Sequence, residues 1–96
     1  MDEVRLKGGK YSLTKIYSDG EEHGCQSGYM ICNLHEEDEN VESQNLLKLD
    51  RCVMVGSLTS RNFYRTSLVQ EILDYNEEED SVTFATLNSV YRIKTL

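Results

Sequence analysis

The sequence predicts a single, mainly β domain, built either as a small antiparallel meander or as an SH3-like, barrel-like sheet. Its 96 residues suit one domain. Apolar residues alternate with polar ones over residues 81–86 and 90–94, which is the period of a half-buried strand. In the last third of the chain, short alternating segments are separated by turn signals, a spacing typical of small barrels. An α+β domain with one short helix is the alternative.

The first half of the chain contains two segments with strand character. Residues 10–17 are rich in Tyr, Thr and Ile, and the sequence Ser-Asp-Gly at residues 18–20 signals a turn. Residues 24–34 carry a second apolar patch. Gly24 and Gly28 within it indicate a bulge or a close approach of another backbone.

The middle of the chain is less regular. Residues 41–49 are the one plausible helix, and it would be short. Residues 51–58 form an apolar run that ends near Gly56, which is typical of a buried strand. The polar residues 58–62 then predict a loop.

Residues 64–75 fit two secondary structures. Leu68, Ile72 and Tyr75 lie at helical spacing, whereas the whole segment also alternates. We favour a strand, because Thr66 and Val69 are β-branched and a strong strand pattern follows.

Two further strands close the chain. Residues 76–80 predict a turn, residues 81–86 a strand, residues 88–89 a tight turn and residues 90–94 a final strand. Together with the segment before them, they predict an antiparallel meander.

Charge and the length of the apolar runs argue against two classes of partner. Lys and Arg number 10 and Asp and Glu number 17, so the net charge is −7. Such an acidic chain is not expected to bind nucleic acid through general charge attraction. The longest apolar runs are four residues, far below the roughly 20 of a membrane helix, and the acidic start resembles no signal peptide. We therefore expect a cytoplasmic protein with no membrane association.

The three cysteines fit free thiols in a reducing compartment, because their number is odd and no export signal is visible. A domain of this size buries only about 60–65% of the surface that its unfolded chain exposes. We expect a homo-oligomer, since self-association would bury a further apolar face.

A zinc site can be drawn from His23, Cys25, Cys32 and His35. The segment between the two pairs is too short for a folded insert, and on a strand the two cysteines would point to opposite faces. A calcium loop starting at Asp74 fails as well, because glycine and glutamate are absent where such a loop needs them. We expect no metal and no cofactor.

Catalysis has little support in the sequence. No nucleophile elbow occurs, and the sequence Lys-Gly-Gly-Lys at residues 7–10 lacks the spacing of a phosphate-binding loop. The carboxylates lie in acidic runs that seldom hold two of them at a fixed separation. We expect a protein that is not an enzyme.

Polar residues lie inside the best strand patterns, and they define a candidate ligand site. Hydroxyls and an amide supply adaptable hydrogen bonds, guanidinium groups suit phosphate or carboxylate, and tyrosine rings offer stacking. The set comprises Arg65, Thr66, Ser67, Asn88, Ser89, Tyr91 and Arg92. The structural alternative stays open: Asn88 and Ser89 make a turn, and Thr66 and Ser67 satisfy backbone groups.

Residues 65–72 and 82–93 carry the pattern Thr-Ser-x-Val-x-x-Ile followed by Val-x-x-x-Thr-x-Asn-Ser-x-Tyr. This pattern resembles the C-terminal part of small proteins of phages and mobile elements. Some proteins of that kind counter bacterial immunity, either as anti-CRISPR proteins or as sponges for cyclic nucleotide signals. The resemblance covers about 30 of 96 residues and implies a small, cytosolic, non-catalytic protein.

Two functions follow as hypotheses. In the first, the chain sequesters a small nucleotide-like signal at the candidate ligand site. In the second, acidic side chains imitate nucleic acid and block a basic host defence protein such as a nuclease. That acidic surface comprises Glu36, Glu37, Asp38, Glu39, Glu77, Glu78, Glu79 and Asp80. A small structural or regulatory phage protein is a further alternative.

Overall fold

The computed structural model describes residues 1–33, 45–57 and 62–96, and the side chains of residues 31–33 are not considered. Nine strands form within these ranges. They are β1 (Glu3–Arg5), β2 (Tyr11–Ile16), β3 (Glu22–Asn33), β4 (Leu46–Lys48), β5 (Cys52–Ser57), β6 (Asn62–Arg65), β7 (Val69–Asn76), β8 (Ser81–Thr86) and β9 (Val90–Thr95). β1 pairs with β4, and the other strands form one antiparallel sheet in the order β6-β5-β3-β2-β9-β8-β7.

The predicted fold class, mainly β and antiparallel, is confirmed. The last three strands are consecutive neighbours in the sheet, so the predicted meander is present. The helical reading of residues 64–75 is wrong. That segment is extended, but it is divided into two strands, because β6 ends at Arg65 and β7 begins at Val69.

The predicted short helix is wrong where the structure describes it. Residues 46–48 form β4, which pairs with β1 and places Leu47 opposite Val4. Leu47 is fully buried, so its burial in the core outweighs any local preference for helix. Residues 41–44 of that prediction lie outside the described residues. So do residues 58–61 of the predicted loop, whereas Asn62 already belongs to β6.

Gly28 marks the point at which β3 changes partners. Its first half pairs with β2 as far as Gly28, and its second half pairs with β5 from Tyr29 onward. Gly28 has φ 142°, and a Cβ atom there would lie 2.7 Å from the carbonyl oxygen of Gly56. A bulge between β2 and β3 lies nearby, where Cys25 is the extra residue. Both expectations for this glycine-containing segment, a bulge and a close approach, are confirmed.

The seven-stranded sheet is strongly curled without closing. In a flat sheet β6 and β9 would lie about 19 Å apart, because four strand spacings separate them. The hydroxyl oxygens of Tyr64 on β6 and Tyr91 on β9 are nevertheless 3.0 Å apart. At the other edge, the N–H group of Val69 donates to the carbonyl of Arg51 just before β5. The inner face of the curled sheet is therefore enclosed.

The core lies on this inner face. Tyr11, Leu13, Val53, Val55, Phe84 and Ile93 are fully buried there. The two-stranded sheet adds Val4, Leu6 and Leu47 to the same cluster. Each such side chain contributes about 1.5–3 kcal/mol through removal of its apolar surface from water.

None of the described residues belongs to a helix that is long and apolar enough to cross a membrane.

Asp80 fastens the turn between β7 and β8 to the rest of the sheet. Its Oδ2 atom accepts hydrogen bonds from the backbone N–H groups of Lys7 and Gly8, at 2.8 and 2.9 Å, and from the hydroxyl of Thr95 at 2.5 Å. Burial alone would raise the pKa of Asp80, but these hydrogen bonds outweigh it and hold the pKa below its ordinary value. The ionised carboxylate therefore stabilises the fold, and we call this contact the Asp80 clasp.

We expect Asp80→Asn to lower the free energy of unfolding by about 1–3 kcal/mol at neutral pH, measured by urea denaturation. The amide loses the charge that strengthens three hydrogen bonds. It also places an N–H₂ group at the Oδ1 position, which is buried without a partner among the described residues. Glu78→Gln is the matched control, because it removes an exposed charge from the same turn.

The contribution of Asp80 to the free energy of unfolding depends on pH. The folded state holds Asp80 at a lowered pKa, so its contribution is present above the pKa of the unfolded chain and is lost as pH falls through the folded value. The stability difference between the natural chain and Asp80→Asn should therefore shrink as the pH is lowered from 5 toward 3. A difference that stays constant, or one equal to that of Glu78→Gln, would contradict the clasp.

Candidate functional site

The structure distributes the seven candidate ligand residues over three environments. Asn88 and Ser89 line a surface cleft. Thr66 and Tyr91 are buried. Arg65, Ser67 and Arg92 lie at the surface away from the lining of that cleft.

The cleft lies between the end of β2 and the turn that joins β8 to β9. Its volume is about 430 Å³, within the usual range for small-molecule sites. It is lined by Lys15, Ile16, Tyr17, Ser18, Asn88, Ser89 and Val90. We call it the β2–β9 cleft.

Backbone pairing builds the β2–β9 cleft from two distant parts of the chain. β2 and β9 are antiparallel neighbours, with Lys15 opposite Tyr91 and Ile16 opposite Val90. The end of β2 therefore lies beside the start of β9. Residues 17–18 and 88–89 extend past these paired ends and form the two walls.

Thr86 makes the wall that carries Asn88 rigid. Its N–H group donates to the carbonyl of Ser89 at 2.8 Å, and its Oγ1 atom accepts the N–H group of Ser89 at 3.2 Å. These bonds between Thr86 and Ser89 close the turn that joins β8 to β9, and its bend lies at residues 87–88, one residue earlier than the predicted 88–89. The Asn88 side chain is exposed and makes no hydrogen bond within the described residues.

Among the described residues, the polar side chains of the cleft form no hydrogen bond or ion pair with one another. Lys15 pairs with no carboxylate in the described part of the chain, and its Nζ atom lies 5.3 Å from the centre of the Tyr17 ring. The Tyr17 ring is 43% exposed and meets the His23 ring edge-on at 5.0 Å. The hydroxyls of Ser18 and Ser89 add donors and acceptors.

Several other cations of the protein are neutralised. Lys94 pairs with Glu79 at 3.9 Å, Lys7 pairs with Glu77 at 3.4 Å, and Arg92 pairs with Glu22. The β2–β9 cleft therefore combines an unpaired ammonium group, an accessible ring and several hydrogen-bonding groups. This combination suits a small ligand with an anionic group and a planar ring.

Tyr91 is a buried residue of the core and does not line the cleft. Its ring stacks on Phe84 with 5.6 Å between centroids, and its hydroxyl meets that of Tyr64. The hydrogen bond to Tyr91 raises the pKa of Tyr64 well above its ordinary value, and burial adds to this shift. The Tyr64 phenol therefore stays neutral.

The Thr66 hydroxyl forms hydrogen bonds with backbone groups. Its Oγ1 atom accepts the N–H group of Val53 at 3.0 Å and donates to the carbonyl of Ser67 at 2.7 Å. The side chain is buried, which matches the structural alternative for this residue. Arg65 is the last residue of β6, and Ser67 lies on the link that joins β6 to β7.

The acidic residues fall into described and undescribed parts. Glu77, Glu78 and Glu79 are exposed on the β7–β8 turn, whereas Asp80 is half-buried in the clasp. Glu36, Glu37, Asp38 and Glu39 lie outside the described residues. No group of three or more His, Cys, Asp or Glu side chains in the described part could hold a metal ion, and of the four zinc candidates the Cys32 side chain and His35 lie outside it.

Five lining residues were missed by sequence reasoning, namely Lys15, Ile16, Tyr17, Ser18 and Val90. The first four lie just before or at the start of the predicted turn at residues 18–20, which was the one local signal near them. Their position at a site depends on pairing between β2 and β9, which lie more than 70 residues apart.

No family model matches the chain, and neither a curated protein nor a solved structure does.

We expect Thr66→Val to lower the free energy of unfolding by about 1–3 kcal/mol, because it leaves the buried N–H group of Val53 without its acceptor. Thr66→Ser keeps the hydroxyl and is the matched control. Chemical denaturation of both variants checks the prediction. If Thr66→Val loses no more stability than Thr66→Ser, the hydroxyl does not make this contribution.

Proposed function

We propose that this protein is a non-enzymatic binding protein that sequesters a small nucleotide-like signal, and that the β2–β9 cleft is its binding site. The observation that supports this best is the collection of unpaired polar groups around one exposed ring. Lys15 suits a phosphate, the Tyr17 ring offers a surface for a base, and Asn88 and the serines match the hydrogen bonds of a ribose or base.

Sequestration needs only mass action. A protein present in excess over its signal lowers the free signal without chemistry. The resemblance to small phage proteins supports a role against bacterial immunity in the host cytosol. Self-association belongs to this proposal, since it would multiply the number of sites in each assembly.

The binding test is a thermal unfolding series with cyclic mononucleotides, cyclic dinucleotides and nucleosides of the four bases. At a ligand concentration of about 100 times Kd, binding stabilises a protein by roughly 2.7 kcal/mol, which corresponds to about 11–22 °C for a domain of this size. We expect a shift of that order with at least one nucleotide.

Tyr17→Ala should reduce that shift strongly, because it removes the ring from the cleft. Tyr29→Ala is the matched control, since Tyr29 is also an exposed tyrosine but does not line the cleft. Absence of a shift across the series, or equal loss in both variants, would contradict the proposal.

A second candidate function is imitation of nucleic acid by the acidic turn. The Asp80 clasp favours it, because it fixes the turn so that Glu77, Glu78 and Glu79 are presented on a supported backbone. A fixed row of carboxylates attracts a basic groove more selectively than a mobile one.

The acidic turn is tested by replacing Glu77, Glu78 and Glu79 with Ser while Asp80 is kept. If the turn imitates nucleic acid, binding to a basic nuclease should fall sharply and should weaken as salt rises, because the Debye length is about 8 Å at physiological ionic strength. Glu21→Ser, on a different turn, is the control. Unchanged binding of the triple variant would exclude this function.

A further inference from the structure

We infer that the β2–β9 cleft selects ligands that carry a single negative charge, namely a heterocycle with one phosphodiester group, over nucleoside di- and triphosphates. This inference rests on the proposed function and specifies its ligand class. It follows from the charges in and around the cleft.

Lys15 is the one charged side chain among the seven residues that line the cleft. The other polar contributors, Ser18, Asn88 and Ser89, are neutral. They can hydrogen-bond to a phosphate oxygen or a sugar hydroxyl, but they do not balance charge. The lining therefore neutralises one negative charge.

The neighbouring guanidinium is already engaged. Arg92 lies two residues beyond Val90 in β9, and its side chain is bound to Glu22 on the adjoining part of the sheet. Recruiting Arg92 for a second phosphate would leave Glu22 without its partner. Because the whole chain carries a net charge of −7, that exchange brings no net attraction.

The rim of the cleft repels further negative charge. Ser18 is followed by the turn that carries Asp19, and Glu21 comes directly after that turn. The turn is held by the N–H group of Tyr17, which donates to the carbonyl of Glu21 at 2.8 Å. A chain of phosphates extending from Lys15 would approach these carboxylates within a Debye length.

The Tyr17 ring is the surface against which the ring of the ligand would pack. Tyr17 is half-exposed between the Lys15 ammonium and the His23 ring. A base packed against it lies close to the one ammonium group. The cleft is therefore built for a compact ligand whose charge and ring are near each other, as in a cyclic mononucleotide.

Calorimetric titration of the full chain with adenosine, 3′,5′-cyclic AMP, AMP and ATP, without divalent cations, tests the inference. The guanine series is measured in the same way. These ligands carry no charge, one charge, about 1.5–2 charges and more than that, in this order. We expect the cyclic nucleotide to bind tightest and the triphosphate to bind at least about tenfold more weakly, a difference of about 1.4 kcal/mol.

Lys15→Met should remove the advantage of the cyclic nucleotide over the nucleoside, because the methionine keeps the length of the side chain without its charge. Lys10→Met is the matched control, since Lys10 is exposed at the start of β2 and does not line the cleft. Circular dichroism confirms that both variants fold.

The outcomes separate the two proposals. If ATP or GTP binds as tightly as the cyclic nucleotide, or if Lys15→Met keeps the preference, the single-charge inference is wrong while sequestration stands. If the nucleoside binds as tightly as the cyclic nucleotide, the role of Lys15 is wrong. If no member of either series binds, sequestration of a nucleotide in this cleft fails as well.

Discussion

The contact between the backbones of Gly28 and Gly56 is the constraint on which the rest of the structure depends. It lets β3 leave β2 and join β5, since a Cβ atom at Gly28 would overlap the Gly56 carbonyl. The sheet therefore curls until Tyr64 on β6 reaches Tyr91 on β9. This curl encloses a core although the chain has only 96 residues. Fully buried side chains such as Leu13 and Phe84 then supply its stability.

The same curl divides the polar side chains into two groups. Thr66 and Asp80 are held by backbone and side-chain partners, and their hydrogen bonds stabilise the fold. Lys15 and Asn88 lie where β2 ends and β9 begins, and their side chains have no hydrogen-bond or ion-pair partner among the described residues. The two groups therefore differ in whether their polar atoms already have partners. Residue type alone does not make that distinction, because threonine and asparagine fit both roles.

Much of the fold could be predicted from the sequence because alternation reports directly on a half-buried strand. Residues 81–86 alternate cleanly and form β8 with the expected bounds. The helix expected over residues 41–49 failed at residues 46–48, because pairing with β1 buries Leu47 in a way that no local pattern shows. Short segments of this kind are decided by tertiary contacts.

The candidate site was harder to predict because it is made of two turns that are distant in sequence. Asn88 and Ser89 were found because they are polar residues within a strand pattern, whereas Lys15 and Tyr17 were missed. Arg65 and Thr66 were expected beside Asn88 because residues 64–75 looked like one strand. The chain instead breaks between β6 and β7, and the N–H group of Thr66 donates to the carbonyl of Val53 on β5. Non-local pairing of this sort leaves no periodic signal in a single sequence.

NMR spectroscopy tests whether the β2–β9 cleft is the binding site. Amide resonances of the ¹⁵N-labelled chain are followed while 3′,5′-cyclic AMP is added. We expect the largest shifts at residues 15–18 and 88–90 and no change at residues 77–80. Shifts centred on the acidic turn or on residues 65–67, with the cleft resonances unmoved, would contradict this expectation.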